Sequence, residues 1–397
     1  MKTTDAKRID GRAPGATTKV DAAAAVMGGR VLELDALRGL ACLTIVFHHF
    51  KPHLLPFGWA AVDLFFILSG YLITAIIIRH ANEDRFLLNF YVRRGLRIWP
   101  VYYLTVLTIA AASPWLPRYY NFDVLPHILT YTQEVGLHWG WRVPPFSEYT
   151  AHMWSLAIEE QFYLIWPALI CLVGRRGVVP LALAVAAAAV WARSSGMYWR
   201  ILLTRADGLA LGAILASLFA SREAIRSHRA IPRVLTVLGL AALTYLTVLI
   251  ASGGMPKPEA PPWPGLSMLM INVLGASIIG LVIYHRGKPA LRFLRRPRLV
   301  WVGQLSYGIY VYHYILMLLS DDIAQALGKG GRPFWREALT VALVFGLAAL
   351  SWRFFELPLL RLKDRFEYGR KPNSGLARPH IESKPADRAR APVSPTR

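Results

Sequence analysis

The segment LDALRGLACLTIVFHHF, residues 34–50, is an apolar run with an arginine near one end and two histidines at the other. Arg38 and His49 are eleven positions apart. In a helix this spacing returns to within ~20° of the same azimuth, at a rise of ~16 Å. His48 points ~80° away from that line. The pattern therefore predicts one helix face that carries a permanent cation and a titratable base.

Two interpretations of this face stay open at the level of the sequence. Ionisable side chains inside a membrane helix are costly, and they usually face a polar cavity with a functional role. However, Lys51, Pro52 and His53 follow directly, so the histidines could simply mark the aqueous end of a span. An arginine at a cytoplasmic helix end is also ordinary. We take Arg38 and His49 as catalytic candidates.

The composition of the whole chain is that of a membrane protein. Of the 397 residues, 55% are hydrophobic, whereas soluble domains have roughly 45–50%. The excess comes in blocks of the roughly 20 residues that cross a hydrocarbon core of ~30 Å. The sequence predicts an all-α polytopic membrane protein with about ten transmembrane helices around a central polar cavity, and no soluble domain. The predicted spans are residues 36–50, 58–78, 98–114, 153–173, 178–192, 203–220, 234–251, 265–285, 299–319 and 337–356.

These spans divide the chain into a cytoplasmic N-terminal tail (1–30), a transmembrane domain (31–362) and a disordered basic cytoplasmic tail (363–397). The tail after about residue 366 has almost no large apolar side chains, which is typical of disorder. The longest outer segment, 115–152, is rich in proline and aromatic residues. We expect it to form a lid or re-entrant element over the outer face.

The formal charge of +21 would suit a nucleic-acid partner, but its distribution does not. Of the 45 Lys and Arg residues, 34 fall on the predicted inner side and nine on the outer side. Such a bias in short loops sets membrane orientation. It predicts an inner-membrane protein with both termini in the cytoplasm, the bilayer as partner and no nucleic acid. Residues 1–30 lack the apolar core of a cleavable signal peptide, and we expect none.

A second group of arginines lies in YVRRGLRIWP, residues 91–100. Arg94 and Arg97 are three positions apart and share a face if this segment is helical. Two guanidinium groups on one face suit a polyphosphate. The alternative is plain anchoring at the positively charged inner surface. We predict that both arginines bind the phosphates of a donor.

Other polar side chains interrupt the predicted spans. The consecutive residues Glu159, Glu160 and Gln161 cannot all face a single cavity, and we predict that Glu160 does. Ser306, Tyr310 and His313 recur at i, i+4 and i+7, which indicates a cavity wall. Arg205 and Asp207 suit either a substrate contact or an ion pair with each other or with the glutamates. The predicted substrate-binding residues are Asp63, Glu160, Arg205, Asp207, Tyr310 and His313.

Motifs of several common enzyme classes are absent from the sequence. It contains no Walker loop, no G-x-G-x-x-G after a strand, no H-E-x-x-H and no nucleophile elbow. Its two cysteines, Cys42 and Cys171, suggest neither a disulfide framework nor a metal cluster. We therefore predict no metal site and no permanently bound cofactor.

Together these motifs resemble the acyltransferase-3 family of membrane O-acyltransferases, over roughly residues 31–362. The most specific match is Arg-x10-His at Arg38 and His49. It is supported by the order of VDLFFILSGYLIT, the Arg-x-x-Arg before IWP, WSLAIEEQFYLIWP, TRADGLALGAILA and SYGIYVYH. The resemblance implies transfer of an acyl group, usually acetyl, from cytoplasmic acyl-CoA to a hydroxyl of an extracytoplasmic or lipid-linked glycan or glycoside. Some members carry a fused SGNH-type domain, which we do not expect here.

The residues suggest how such a transfer would proceed. His49 would either deprotonate the acceptor hydroxyl or carry the acyl group itself. Arg38 would hold the pantetheine or pyrophosphate of acyl-CoA, or steady the thioester. A competing hypothesis is a secondary transporter or glycan flippase with Arg38, Glu160 and Arg205 as pathway charges. The absence of a symmetric pair of interrupted spans argues against the transporter.

Overall fold

The computed structural model describes residues 31–134, 147–220, 230–253, 264–329, 331–366 and 368. These residues confirm the predicted all-α class: apart from an isolated bridge between Tyr120 and Ser147, the described part of the chain has no β-pairing. Its long helices are α1 (Leu32–Phe50), α2 (Ala61–His80), α3 (Phe86–Ala112), α4 (Trp154–Ser194), α5 (Leu202–Leu218), α6 (Ile231–Ala251), α7 (Pro264–Tyr284), α8 (Pro297–Ala326) and α9 (Phe334–Ser351).

Six helical segments are long and apolar enough to cross a membrane: Gly58–His80, Phe86–Trp115, Glu148–Ser194, Ile231–Ala251, Gly265–Tyr284 and Phe334–Phe366. The chain is therefore membrane-embedded, as predicted. The count of ten spans around a central polar cavity stays a prediction. Helices α1, α5 and α8 are not among the six, and they hold many of the charged and polar residues singled out above.

Some helix boundaries differ from the predicted spans. Helix α3 begins at Phe86 and not at residue 98, so the arginines at 94 and 97 lie on a helix, which their predicted shared face requires. Helix α1 begins at Leu32 and is longer than its predicted span, because buried Glu33 is satisfied by Arg295 (2.9 Å) and by the backbone N–H of Gly287 (3.1 Å). Two predicted spans meet inside α4 at Gly174, where φ is +67° and the helix breaks.

Glycines allow two pairs of helices to approach closely. A Cβ atom on Gly303 of α8 would lie 1.8 Å from the carbonyl oxygen of Asp35 on α1, and one on Gly39 would lie 2.9 Å from the Gly303 nitrogen. A Cβ on Gly70 of α2 would lie 1.9 Å from the Leu209 oxygen of α5. Backbones can approach this closely only at residues without a side chain. The contact between Gly39 and Gly303 places α1 and α8 side by side.

The predicted outer lid is described in part, since residues 135–146 lie outside the described ranges. A short helix, Leu125–Leu129, is held by the hydroxyls of Tyr102 and Tyr103, which donate to the carbonyls of Ile128 (2.7 Å) and Leu129 (3.0 Å). Arg118 binds both Glu148 and Asp322, and thereby ties this segment to the last turns of α8.

Helical structure continues beyond α9. A π-helical turn, Trp352–Glu356, is followed by the helix Leu357–Arg361 and the 3-10 helix Leu362–Phe366. The predicted start of a disordered tail at residue 363 thus falls inside an ordered turn. The rest of that tail, except Tyr368, and the N-terminal tail (1–30) lie outside the described residues.

Candidate active site

One cavity, between α1, α2, α3, α4 and α8, has three guanidinium groups on its walls, those of Arg38, Arg94 and Arg97. The space between these helices is ≈ 670 Å³ when the part open to its mouth is included. The structure thus brings one predicted catalytic residue together with both predicted donor-binding residues. The other polar groups on the walls belong to Ser69, Ser155, Glu159, Tyr163, Ser306, Tyr307 and Tyr310.

The three arginines have little internal compensation for their charge. Within the described ranges no carboxylate oxygen lies within the 4.0 Å ion-pair distance of any of them. Arg94 stacks on the ring of Tyr163 at 5.5 Å, and the Nε atom of Arg38 is buried with no hydrogen-bond partner among those residues. A half-buried cationic wall of this kind favours an anionic ligand, because guanidinium groups bind phosphate oxygens through strong charge-assisted hydrogen bonds.

The glutamate that lines this cavity is Glu159, whereas the prediction selected Glu160. The Glu159 carboxylate accepts hydrogen bonds from Ser69 (2.8 Å) and Tyr163 (2.9 Å). Glu160 instead accepts from the indole N–H of Trp99 at 2.9 Å and is absent from the cavity lining. The spacing of Ser155, Glu159 and Tyr163, every four residues along α4, is the helical pattern that would have indicated Glu159.

Tyr310 separates this cavity from a group of histidines. Its ring lines the cavity, and its hydroxyl contacts the Ser155 hydroxyl (2.5 Å) and donates to the His152 carbonyl (2.8 Å). The Tyr310 ring lies 5.5 Å from the rings of both His152 and His313. Of the predicted stripe on α8, Ser306 and Tyr310 line the arginine cavity, whereas His313 lies with the other histidines on the far side of Tyr310.

His49 pairs with His313 across the contact between α1 and α8. The Nδ1 atom of His49 lies 3.0 Å from the Ile45 carbonyl and 3.3 Å from Nε2 of His313. The Nδ1 atom of His313 lies 2.7 Å from the Tyr310 carbonyl. Since a carbonyl can only accept, both rings carry their proton on Nδ1. The lone pair of His49 is therefore on Nε2, which leaves that atom able to act as a base.

His152 completes this histidine group, although it is not among the residues singled out from the sequence. It is buried, its Nε2–H donates to the Val311 carbonyl (3.1 Å), and its ring packs edge-on to His313 at 5.3 Å. The contacts join residues about 160 positions apart, so no periodicity within one helix indicates them. The only local signal is its place just before the motif WSLAIEEQFYLIWP.

Five of the predicted substrate-binding residues do not line the cavity. Besides Glu160 and His313, these are Asp63, Arg205 and Asp207, which take part in two buried ion pairs. Arg205 pairs with Asp63 at 3.0 Å, and Asp207 pairs with Arg193 at 2.7 Å. Neither partner is among those that the sequence offered, which were Arg205 and Asp207 for each other, or the glutamates. The paired side chains are fully covered, which favours a structural role in joining α2, α4 and α5.

Removing one partner of such a pair should destabilise the fold. In Asp63→Asn the guanidinium of Arg205 stays buried without its counter-charge, which costs about 3 kcal/mol or more. We expect a clearly lower unfolding temperature for the purified protein in detergent. The matched control is Asp84→Asn, since Asp84 is exposed and should change stability by less than about 0.5 kcal/mol. If Asp63→Asn and the unaltered protein had the same unfolding temperature, a structural role for this pair would be contradicted.

A second polar group lies at the segment that was predicted to form a lid. Burial raises the pKa of Glu134 to about 7, and the positive charge of Arg200 opposes this shift only in part. One carboxyl oxygen of Glu134 and the Nε atom of Arg200 are buried without hydrogen-bond partners among the described residues. The Arg200 guanidinium lies 4.6 Å from the Trp199 ring. An aromatic face beside unpaired donors and acceptors suits a sugar.

Comparison with known proteins gives a family match over most of the chain. The model of an acyltransferase domain family (Acyl_transf_3) matches residues 31–353. A peptidoglycan O-acetyltransferase of Listeria monocytogenes is 28% identical over 365 residues, which are 83% of this chain and 56% of that protein. A putative peptidoglycan O-acetyltransferase of Bacillus subtilis is 28% identical over 358 residues, 82% of this chain and 54% of that protein. A putative O-acetyltransferase of Staphylococcus aureus is 26% identical over 349 residues, with 82% and 56% coverage.

The chain thus spans little more than half the length of these relatives. No solved structure matches it significantly. Within the described residues no group of three or more His, Cys, Asp or Glu side chains has the geometry of a metal site.

Proposed function

The chain belongs to the acyltransferase family whose model matches residues 31–353, and on that premise we propose that it is a membrane O-acyltransferase. It moves an acyl group, most simply acetyl, from cytoplasmic acyl-CoA to a hydroxyl of an extracytoplasmic or lipid-linked glycan or glycoside. The names of its relatives support acetyl transfer to a glycan. One observation carries the proposal: helix α1 bears both an arginine of the cavity wall, Arg38, and the histidine whose tautomer leaves a basic nitrogen, His49.

The arginine cavity holds the donor. Arg94 and Arg97 bind the phosphates of acyl-CoA. Both lie on the cavity wall in the first half of α3, toward its predicted cytoplasmic end, and both lack carboxylate partners in the described structure. Arg38 holds the pyrophosphate or the pantetheine arm. The rise from Arg38 to His49 along α1, ~16 Å, is comparable with the length of that arm. The arm is therefore long enough to bring the thioester past Tyr310, which separates the cavity from the histidines, without a large movement of the helices.

The histidine pair performs the transfer. The Nε2 atom of His49 takes the proton of the acceptor hydroxyl while the hydroxyl oxygen attacks the thioester carbonyl. The new C–O bond forms, the C–S bond breaks, and the proton passes on to the departing thiolate. The Nε2 lone pair of His313 accepts from Nδ1–H of His49, which holds the reactive tautomer and stabilises the imidazolium that forms. A covalent acyl-His49 is the alternative route.

The acceptor approaches from the opposite end. An aromatic face and unpaired polar atoms are available there, from Trp199, Arg200 and Glu134. The guanidinium of Arg200 also lies within electrostatic range of Tyr310 and Tyr314, which are beside the histidines. In this proposal Tyr310 and His313 contact the acceptor. The buried ion pairs that include Asp63, Arg205 and Asp207 hold the helices around the site in place. The arginine end faces the cytoplasm of a cell whose inner membrane holds the protein.

Radiolabelled acetyl-CoA tests this proposal. Purified protein in liposomes is given acetyl-CoA labelled in the acetyl group, on one side, and a cell-surface glycan extract on the other. Label on the glycan, with release of free coenzyme A, is expected. Label that remains on acid-quenched protein identifies the covalent route. Movement of intact donor or glycan across the bilayer, without transfer of label, would instead support a transporter and contradict the enzyme.

A further inference from the structure

The turn that follows α9 is anchored beside the arginine cavity. Arg93 donates from Nη1 to the carbonyl of Lys363 (2.8 Å) and more weakly to that of Phe366 (3.3 Å). Its guanidinium also lies 5.1 Å from the ring of Tyr368, and that ring stacks on His80 at 4.7 Å. Arg93 therefore serves to hold this turn against α3, next to Arg94 and Arg97, the two arginines of that helix that line the cavity.

This anchoring places the positive charge of Lys363 near those of the α3 arginines. The ammonium group of Lys363 is half-buried and lies within electrostatic range of Arg97, Arg93 and Arg94. No ion pair joins Lys363 to a carboxylate among the described residues, although Asp364 acts on it at longer range. Cations that crowd together without paired carboxylates repel one another, and an anion with several charges removes that cost.

The described carboxylates near this cluster lie beyond ion-pair distance of Lys363 and of the arginines that line the cavity. Glu159 acts on Arg38 and Arg94, and it is already held by Ser69 and Tyr163. Glu356 acts on Arg97 and accepts a hydrogen bond from Ser351 at 3.1 Å. Glu160 also acts on Arg94, and Asp364 acts on Lys363. The five cations Arg38, Arg93, Arg94, Arg97 and Lys363 therefore exceed the four carboxylates by one charge. Because Arg38, Arg94, Arg97 and Lys363 form no ion pair among the described residues, their N–H groups stay available to a ligand that carries phosphate groups.

We propose that Lys363 is a fourth cation of the donor site and binds a phosphate group of the nucleotide part of the thioester, so that the turn after α9 closes that site. The inference rests on the proposed function and adds a residue outside the segment that the family model matches. It also gives Arg93 a separate task, since Arg93 positions the turn and Lys363 contacts the ligand. A phosphate on an anionic phospholipid headgroup has the same chemistry, and the test must distinguish the two.

Coenzyme A is the probe, and its dissociation constant is measured by isothermal titration on the full chain in nanodiscs of phosphatidylcholine. We expect Lys363→Gln to weaken binding about tenfold to a hundredfold, and Lys363→Arg to restore most of it. The matched control is Arg365→Gln, which removes an exposed cation from the same turn and should leave the dissociation constant unchanged. Adding phosphatidylglycerol to the nanodiscs tests the lipid headgroup.

A double-mutant comparison separates the two roles. If Arg93 acts by positioning the turn, Arg93→Gln weakens coenzyme A binding by itself but adds little to Lys363→Gln. Equal affinities of Lys363→Gln and the unaltered protein would overturn the inference and leave the proposed function standing. A loss of phosphatidylglycerol binding alone would overturn it in favour of the lipid. If the unaltered protein fails to bind coenzyme A, the donor assignment itself is wrong.

Discussion

His49→Ala should reduce acyl transfer by about 10²- to 10⁴-fold, the usual contribution of a general base. The protein should still insert, fold and bind coenzyme A, because the arginine cavity does not include His49. The measurement is the rate of label transfer from acetyl-CoA at saturating donor, together with the dissociation constant of coenzyme A. Added imidazole should restore part of the rate if the missing group is a base.

The chain supplies a matched control for this variant in the adjacent residue. His48 is also half-buried, and its Nδ1 contacts the carbonyl of Leu55 at 2.8 Å. Its ring packs edge-on against the His49 ring at 5.5 Å, but it takes no part in the contact between His49 and His313. His48→Ala should therefore keep transfer within a few fold of the unaltered protein. A transfer rate in His49→Ala equal to that of His48→Ala would remove His49 from the mechanism.

Replacing both Arg94 and Arg97 by glutamine should weaken coenzyme A binding by about 10²- to 10⁴-fold. Each charge-assisted hydrogen bond to a phosphate contributes about 1.5–3 kcal/mol, and both are lost together. The affinity of the double variant should also depend less on salt concentration, because fewer charges are paired on binding. At saturating donor the rate of acyl transfer should be kept. His49→Ala is expected to show the opposite, a lower rate of transfer with coenzyme A binding kept.

Arg79→Gln is the control for this pair, since it removes an exposed arginine from the end of α2. It should leave the dissociation constant of coenzyme A and its salt dependence as they are. If the double variant binds coenzyme A as tightly as Arg79→Gln does, the arginine cavity is not the phosphate site. In that case the plain anchoring role, which the sequence left open, would be the better account of both arginines.

The sequence predicts that the apolar blocks are helices. It also predicts that Arg38 and His49 lie on the same helix. Apolar blocks of spanning length form helices in a bilayer because every backbone group must be bonded within the segment. The period of 3.6 residues then determines which side chains of one helix are neighbours. The boundaries were less predictable, because the charged first turns of α3 looked like a loop by composition yet are helical in the structure.

Which side chains meet across two helices was not predictable from the sequence and is decided by the tertiary structure. The choice of Glu159 over Glu160, the pairing of Arg205 with Asp63 and the histidine group each depend on the rotation of two helices relative to one another. That rotation is set where backbones touch, as at Gly39 and Gly303. His49 and His313 each lie ten residues further along the same two helices. A sequence pattern describes one helix at a time, whereas this site exists only where five of them meet.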